Sequence, residues 1–121
     1  MQAKNLPASK SADDVLAERL RQIEVEGFTQ DRDLVLNGTH DLAIGGFGYL
    51  HHYLMHSWMV FEEITHGLSN YQKELVPRTW PLHWDEAMWK PKNPRADLVR
   101  AAALIIAEID RLDATMEAYN E

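Results

Sequence analysis

The last quarter of the chain constrains the fold most. Leu98, Ala102, Ile105, Ile109, Leu112 and Met116 recur at intervals of 4, 3, 4, 3 and 4 residues. That heptad spacing sets apolar side chains along one stripe of an α-helix. Val99, Ala103 and Ile106 widen the stripe into a face that should look inward. Asn93 and Pro94 mark the start: an amide side chain as N-cap, then proline at the first helical position, where its missing N–H is no loss. No segment shows the alternation of a half-buried strand, and no internal repeat occurs. The expected fold is all-α, a small bundle of three main helices with a Trp/Pro-rich loop, and the heptad seam suggests a homo-oligomer.

The first helix is expected over 12–26. Ser11 can cap it, Asp13 and Asp14 suit the positive end of its dipole, and Gly27 suits a left-handed C-cap. Leu16, Leu20 and Ile23 form its apolar stripe, with Glu18, Arg19, Arg21, Glu24 and Glu26 on the other face. Residues 1–10 read as a loose tail and 11–121 as a single domain. A second helix is expected from a Thr39 cap to about Thr65, ended by Gly67. It is apolar nearly all round, which predicts a central element, partly in a subunit interface. Gly45, Gly46 and Gly48 inside it each weaken a helix by about 0.5–1 kcal/mol relative to alanine. Close approach of a neighbouring backbone or ligand would explain them, and so would a break in the helix.

Pro77, Pro81, Pro91 and Pro94 prevent a long helix between the second and last elements, although a short turn fits over Asp85–Trp89. Three of the four tryptophans, Trp80, Trp84 and Trp89, lie here. The chain holds 12 basic and 19 acidic residues, net −7. From Arg78 to Arg100, however, five basic residues face three acidic ones. An acidic chain with one small basic, aromatic segment suits a small anionic ligand and argues against duplex nucleic acid. The absence of cysteine excludes disulfides and thiolate metal sites and fits a reducing cytoplasm. No apolar run of membrane-spanning length is present, so no membrane partner is expected.

Three groups could carry chemistry. His52, His56, Met59, Glu63 and His66 share a helical stripe, and Glu63–His66 is an E-x-x-H pair. These are candidate metal ligands, or else hydrogen-bonded histidines lining a cleft. Glu108, Asp110, Asp113 and Glu117 flank the seam of the last helix. They could hold Mg²⁺, or form its wetted edge with Arg111 as an ion-pair partner. The third group is Arg78, Trp80, His83, Trp84, Trp89, Lys90, Lys92 and Arg95. Its indoles could stack on a base, its cations could neutralise phosphates, and the helix start at Pro94–Ala96 offers an anion site. The competing reading is a Trp/Pro staple that covers one end of the bundle. No nucleophile elbow, Walker loop or dinucleotide fingerprint is present.

Three stretches carry a family resemblance. They are Glu18-Arg19-Leu20-Arg21-Gln22-Ile23 with Glu26-Gly27-Phe28-Thr29, then Trp89-Lys90-Pro91-Lys92, and then Arg95 to Asp113. Together they resemble small bacteriophage and prophage proteins related to the dATP/dGTP diphosphohydrolase N-terminal family and, more loosely, the MazG-type all-α nucleotide pyrophosphatases. The resemblance implies a nucleotide ligand and a host-cytoplasmic setting. It also implies, for the enzymes, Mg²⁺-activated water cutting a dNTP between the α- and β-phosphates. MazG-type sites use E-x-x-E and E-x-x-D motifs. This chain has no E-x-x-E, offers only Asp110-x-x-Asp113, and places Asp41 where the group has glutamate. The expectation is therefore a nucleotide-binding protein that needs no cofactor and sequesters a cyclic-nucleotide or cyclic-ADP-ribose immune signal. Stacking would come from Trp80, Trp84 or Trp89, phosphate contacts from Arg78, Lys90, Lys92 and Arg95, and hydrogen bonds from His52 and His56. The alternatives are a Mg²⁺-dependent dNTP pyrophosphohydrolase using Asp41, Glu108, Asp110 and Asp113, and an adaptor that binds a host protein through the Trp/Pro loop.

Overall fold

A computed structural model describes residues 9–29, 32–33, 38, 40–55 and 76–120. Among them are three α-helices and a single 3-10 turn: α1 (Lys10–Glu26), α2 (Asp41–Met55), the turn (Glu86–Met88) and α3 (Pro94–Asn120). The fold is all-α, as the spacing predicts. No helix of the described residues is long and apolar enough to cross a membrane.

α1 starts two residues earlier than expected. Its cap is Ser9, not Ser11, and the Ser9 hydroxyl accepts from the Ala12 N–H at 3.1 Å. At the other end Gly27 takes φ 75°, the left-handed conformation that glycine adopts without a Cβ clash. The Phe28 N–H then reaches back to the Gln22 carbonyl at 3.1 Å and closes a Schellman turn. This reversal drops Phe28 into the core.

α2 runs unbroken through its glycines, and they face two different neighbours. A Cβ on Gly45 would lie 2.4 Å from the Trp84 ring. One on Gly46 would lie 3.3 Å from the Ala101 carbonyl of α3, and one on Gly48 would lie 3.5 Å from Pro77. The glycines thus flatten α2 so that the Trp/Pro loop and α3 can both press against it. The expected Thr39 cap and the extension from His56 to Thr65 lie outside the described residues. Phe47, Leu54 and Met55 are exposed, so α2 is central on one side only.

The loop turns at Pro77–Trp80 and Pro81–Trp84, each closed by an N–H to carbonyl bond of 3.0–3.1 Å. A third turn covers Glu86–Met88, with the Asp85 carboxylate accepting from the Ala87 N–H at 2.9 Å. All three tryptophans are buried. Trp80 meets Trp84 and Trp89 edge-on at 5.3 and 5.4 Å, Trp84 stacks on Phe28 at 4.9 Å, and Trp89 lies on Tyr49 at 4.8 Å. Tyr49 ties the loop down by two bonds: its hydroxyl donates to the Met88 carbonyl at 3.1 Å and accepts from the Lys90 N–H at 3.2 Å.

α3 opens on Asn93 as expected, the side chain accepting from the Ala96 N–H at 2.8 Å. Asp97, fully buried, reaches back to the Lys92 N–H at 3.1 Å and fixes the entering chain. α2 runs against α3, since Tyr49 lies by Arg100 while His40 lies by Glu108. α1 runs with it, since Asp14 meets Arg95 and Arg19 meets Asp110.

The inward face of α3 corrects the expectation in part, since Ala103 is buried as expected. Ala101, Leu104, Ala107 and Arg111 are buried, whereas Ile105, Ile109, Leu112 and Met116 of the seam are exposed. The same inversion holds in α1, where Leu16 and Leu20 are exposed and Arg19 and Gln22 are buried. Gly46 lets α3 come close to α2, where the Ala101 carbonyl, Leu104 and the inner edge of Ile105 meet it.

Two outcomes follow. Gly45→Ala should lower stability by about 1–3 kcal/mol through overpacking against Trp84, outweighing the helix-propensity gain; chemical denaturation measures this. Burial holds the Tyr49 phenol above its ordinary pKa of 10.0. The unfolded chain therefore loses this proton first, and stability falls as pH rises above about 10. Tyr49→Phe should lower stability by about 1–2 kcal/mol at neutral pH and flatten that alkaline loss in urea titrations.

Candidate functional site

The acidic residues and the basic residues occupy different places. At the α2 start, Asp41 is buried and its Oδ2 lies 3.1 Å from the His83 Nε2. Glu108 is buried against Arg111, with the His40 Nδ1 at 3.4 Å on its other oxygen. His40 holds φ 69°, a left-handed conformation uncommon outside glycine. Asp110 faces Arg19 at 3.6 Å, and Arg19 also donates to the Phe28 carbonyl at 2.8 Å. Asp113 stands exposed further along α3. Asp41, Glu108 and Asp110 are thus each set against a cation or a histidine of their own. Among the described residues no three His, Asp or Glu side chains are grouped to share a metal ion. His56, Glu63 and His66 lie outside the described residues. His52 is buried, its ring edge-on to Trp89 at 5.4 Å.

The second place is a groove of about 430 Å³ between α1 and the start of α3. Arg21, Lys92, Arg95 and Arg100 line it, opposed by Asp14 and Glu18. The Asp14 carboxylate accepts from Arg95 at 2.8 Å and from Lys10 at 3.1 Å, and these bonds hold its pKa below the ordinary aspartate value. Arg21 is gripped in a fork by both Glu18 oxygens at 2.7 Å and touches Glu26 at 3.2 Å, which raises its pKa further above the ordinary arginine value. Arg100 lies 5.6 Å over the Tyr49 ring and 3.9 Å from Asp97, and its buried Nη1 has no hydrogen-bond partner among the described residues.

A narrow cleft opens beside this groove and shares Glu18, Arg21 and Arg100 with it. Phe28, Tyr49, Trp80, Trp84 and Leu104 form its walls, and it has room for about one water molecule. Gln22 lines it as well: its Nε2 donates to Glu18 at 3.3 Å, and its buried Oε1 is left without a partner.

Of the expected ligand residues, the structure brings Lys92 and Arg95 to the groove, and Trp80 and Trp84 to the cleft beside it. Trp89 and His52 pack elsewhere in the core, so neither offers a free face or edge to a ligand in the groove. Arg78 lies across the Trp/Pro loop in a separate depression with Pro77, Trp80 and Leu82. His83 is taken up with Asp41, and Lys90 is exposed away from the groove lining. The helix start also differs from the expectation. Pro94 has no N–H, and the Ala96 and Asp97 N–H groups donate to Asn93, so the segment is capped from within. Sequence reasoning missed Arg21, Arg100, Gln22 and Asp14. The available signal was α1 itself, because helix-spaced Asp14, Glu18 and Arg21 form a charged stripe that must face either solvent or a neighbour.

Replacing Arg111 by Met leaves the buried Glu108 without its main partner and should cost about 3 kcal/mol. The double replacement Arg111→Met with Glu108→Leu should recover most of that loss, as read from denaturation midpoints.

Comparison of the chain with protein-family models, with curated proteins and with solved structures gives no match.

Proposed function

We propose that the protein binds a small phosphate-bearing ligand of the nucleotide class in the groove between α1 and α3, and holds it rather than cutting it. The convergence of Arg21, Lys92, Arg95 and Arg100 on one groove of an otherwise acidic chain carries this reading. Guanidinium groups meet phosphate oxygens in a planar fork, and lysine adds a point charge. The Nη1 of Arg100, 3.9 Å from Asp97 and without a hydrogen bond among the described residues, adds a donor at the groove, and the Gln22 Oε1 adds an acceptor in the cleft beside it. Asp14 and Glu18 occupy Arg95 and Arg21 until a stronger anion displaces them.

Retention without hydrolysis agrees with the state of the acids. Asp41, Glu108 and Asp110 are each engaged by His83, Arg111 or Arg19. No observation among the described residues favours a Mg²⁺-dependent dNTP pyrophosphohydrolase. An adaptor acting through the Trp/Pro loop gains little, because its tryptophans are interior. With a phage origin as the sequence resemblance suggests, the role that fits is sequestration of a cyclic-nucleotide or cyclic-ADP-ribose signal in the host cytoplasm.

Native mass spectrometry with a panel of dNTPs and cyclic nucleotides, in Mg²⁺ and in EDTA, tests this reading. The expected result is an intact nucleotide retained equally in both buffers. Arg95→Ala should weaken binding about tenfold, the loss of one charge-assisted contact. Asp14→Asn should tighten it by removing the resident competitor. A dNTP converted to its monophosphate only with Mg²⁺, or binding indifferent to both substitutions, would overturn it.

A further inference from the structure

We propose that the outward stripe of α3 docks a basic amphipathic helix from a partner protein. Successive helical residues are turned by about 100°. Glu108 and Asp110 therefore lie on opposite flanks of Ile109, and they contact different elements: Glu108 meets His40 at the start of α2, and Asp110 meets Arg19 of α1. The two neighbours grip α3 from both sides, and the seam faces outward between them. Ile105, Ile109, Leu112 and Met116 are 46%, 51%, 45% and 58% exposed. Their heptad spacing suits another helix, because a/d-type side chains interdigitate with a facing helical surface.

Charge decides which helix. Asp113 and Glu117 border the stripe, both exposed. From Ile105 to Asn120 the only cation is Arg111, and it is buried against Glu108. The docking face is thus apolar with an acidic margin. A second copy of α3 would bring acidic margin to acidic margin, whereas lysines or arginines beside an apolar stripe would meet opposite charge. This surface is separate from the α1–α3 groove, and the proposal does not depend on what binds there.

The test uses the full chain and two synthetic peptides of about three heptads, each with isoleucine and leucine at the seam positions. One carries lysine at the flanking positions and the other glutamate. Fluorescence anisotropy should show the lysine peptide binding at least about tenfold tighter than the glutamate peptide. Asp113→Lys combined with Glu117→Lys should reverse that preference. Ile109→Ser combined with Leu112→Ser should abolish binding, with helicity by circular dichroism unchanged because both positions are exposed. Equal binding of the two peptides, or binding unaffected by the serine substitutions, would overturn the proposal. So would a dimer in light scattering that the serine substitutions dissociate, since a second copy would then be the occupant.

Discussion

The contact between the glycine face of α2 and its two neighbours sets the geometry of everything else. Trp84 can lie flat against the helix only because Gly45 has no Cβ, and α3 can approach only because Gly46 meets Ala101 and Leu104. Helix propensity is lost at three positions, by about 0.5–1 kcal/mol each. In return three indoles, Phe28 and Tyr49 leave water, and each large aromatic contributes on the order of 2–3 kcal/mol when buried. The loop from Pro77 to Trp89, with no long helix of its own, becomes the end wall of the bundle. That wall also forms one side of the cleft at Gln22 and Arg100.

Parts of this were legible in the sequence. Gly27 and Asn93-Pro94 announced helix ends because caps depend on local chemistry alone. The turn near Asp85–Trp89 was readable from the prolines around it. The direction of the helix faces was not. A heptad of Ile, Leu and Met is conspicuous on paper, while Ala101 and Leu104, which meet Gly46, read as filler. Hydrophobic spacing locates a stripe without saying which stripe the neighbours take, and that choice falls on the small residues because the partner helix comes so close. Arg19 reads as outward for the same reason, and nothing in the sequence marks Gln22 as buried. Their burial depends on acceptors at Phe28 and Glu18 that only the folded α1 terminus supplies.

The candidate site was half legible. Lys92 and Arg95 stood out within a basic cluster, and both reach the groove. Their partners Arg21 and Arg100 lie on two helices and share no motif. The tryptophans of the same cluster are buried in the end wall, and Trp80 and Trp84 also line the cleft beside the groove. Arg21 and Arg95 are in turn held by acids from α1, and Arg100 lies by Asp97 of α3, so the surface is prearranged rather than bare. Side chains held in this way would lower the ordering cost of binding the proposed ligand.

The fit of Trp84 against Gly45 also bears on how this chain can change over generations. Any side chain at position 45 meets the indole, and a smaller ring at position 84 opens a void above bare helix backbone. The two positions can drift only as a pair, a methyl gained on one side matched by bulk lost on the other. A lineage that made one change first would pass through a less stable intermediate. The contact therefore acts as a ratchet on divergence, and it holds the end wall of the bundle constant.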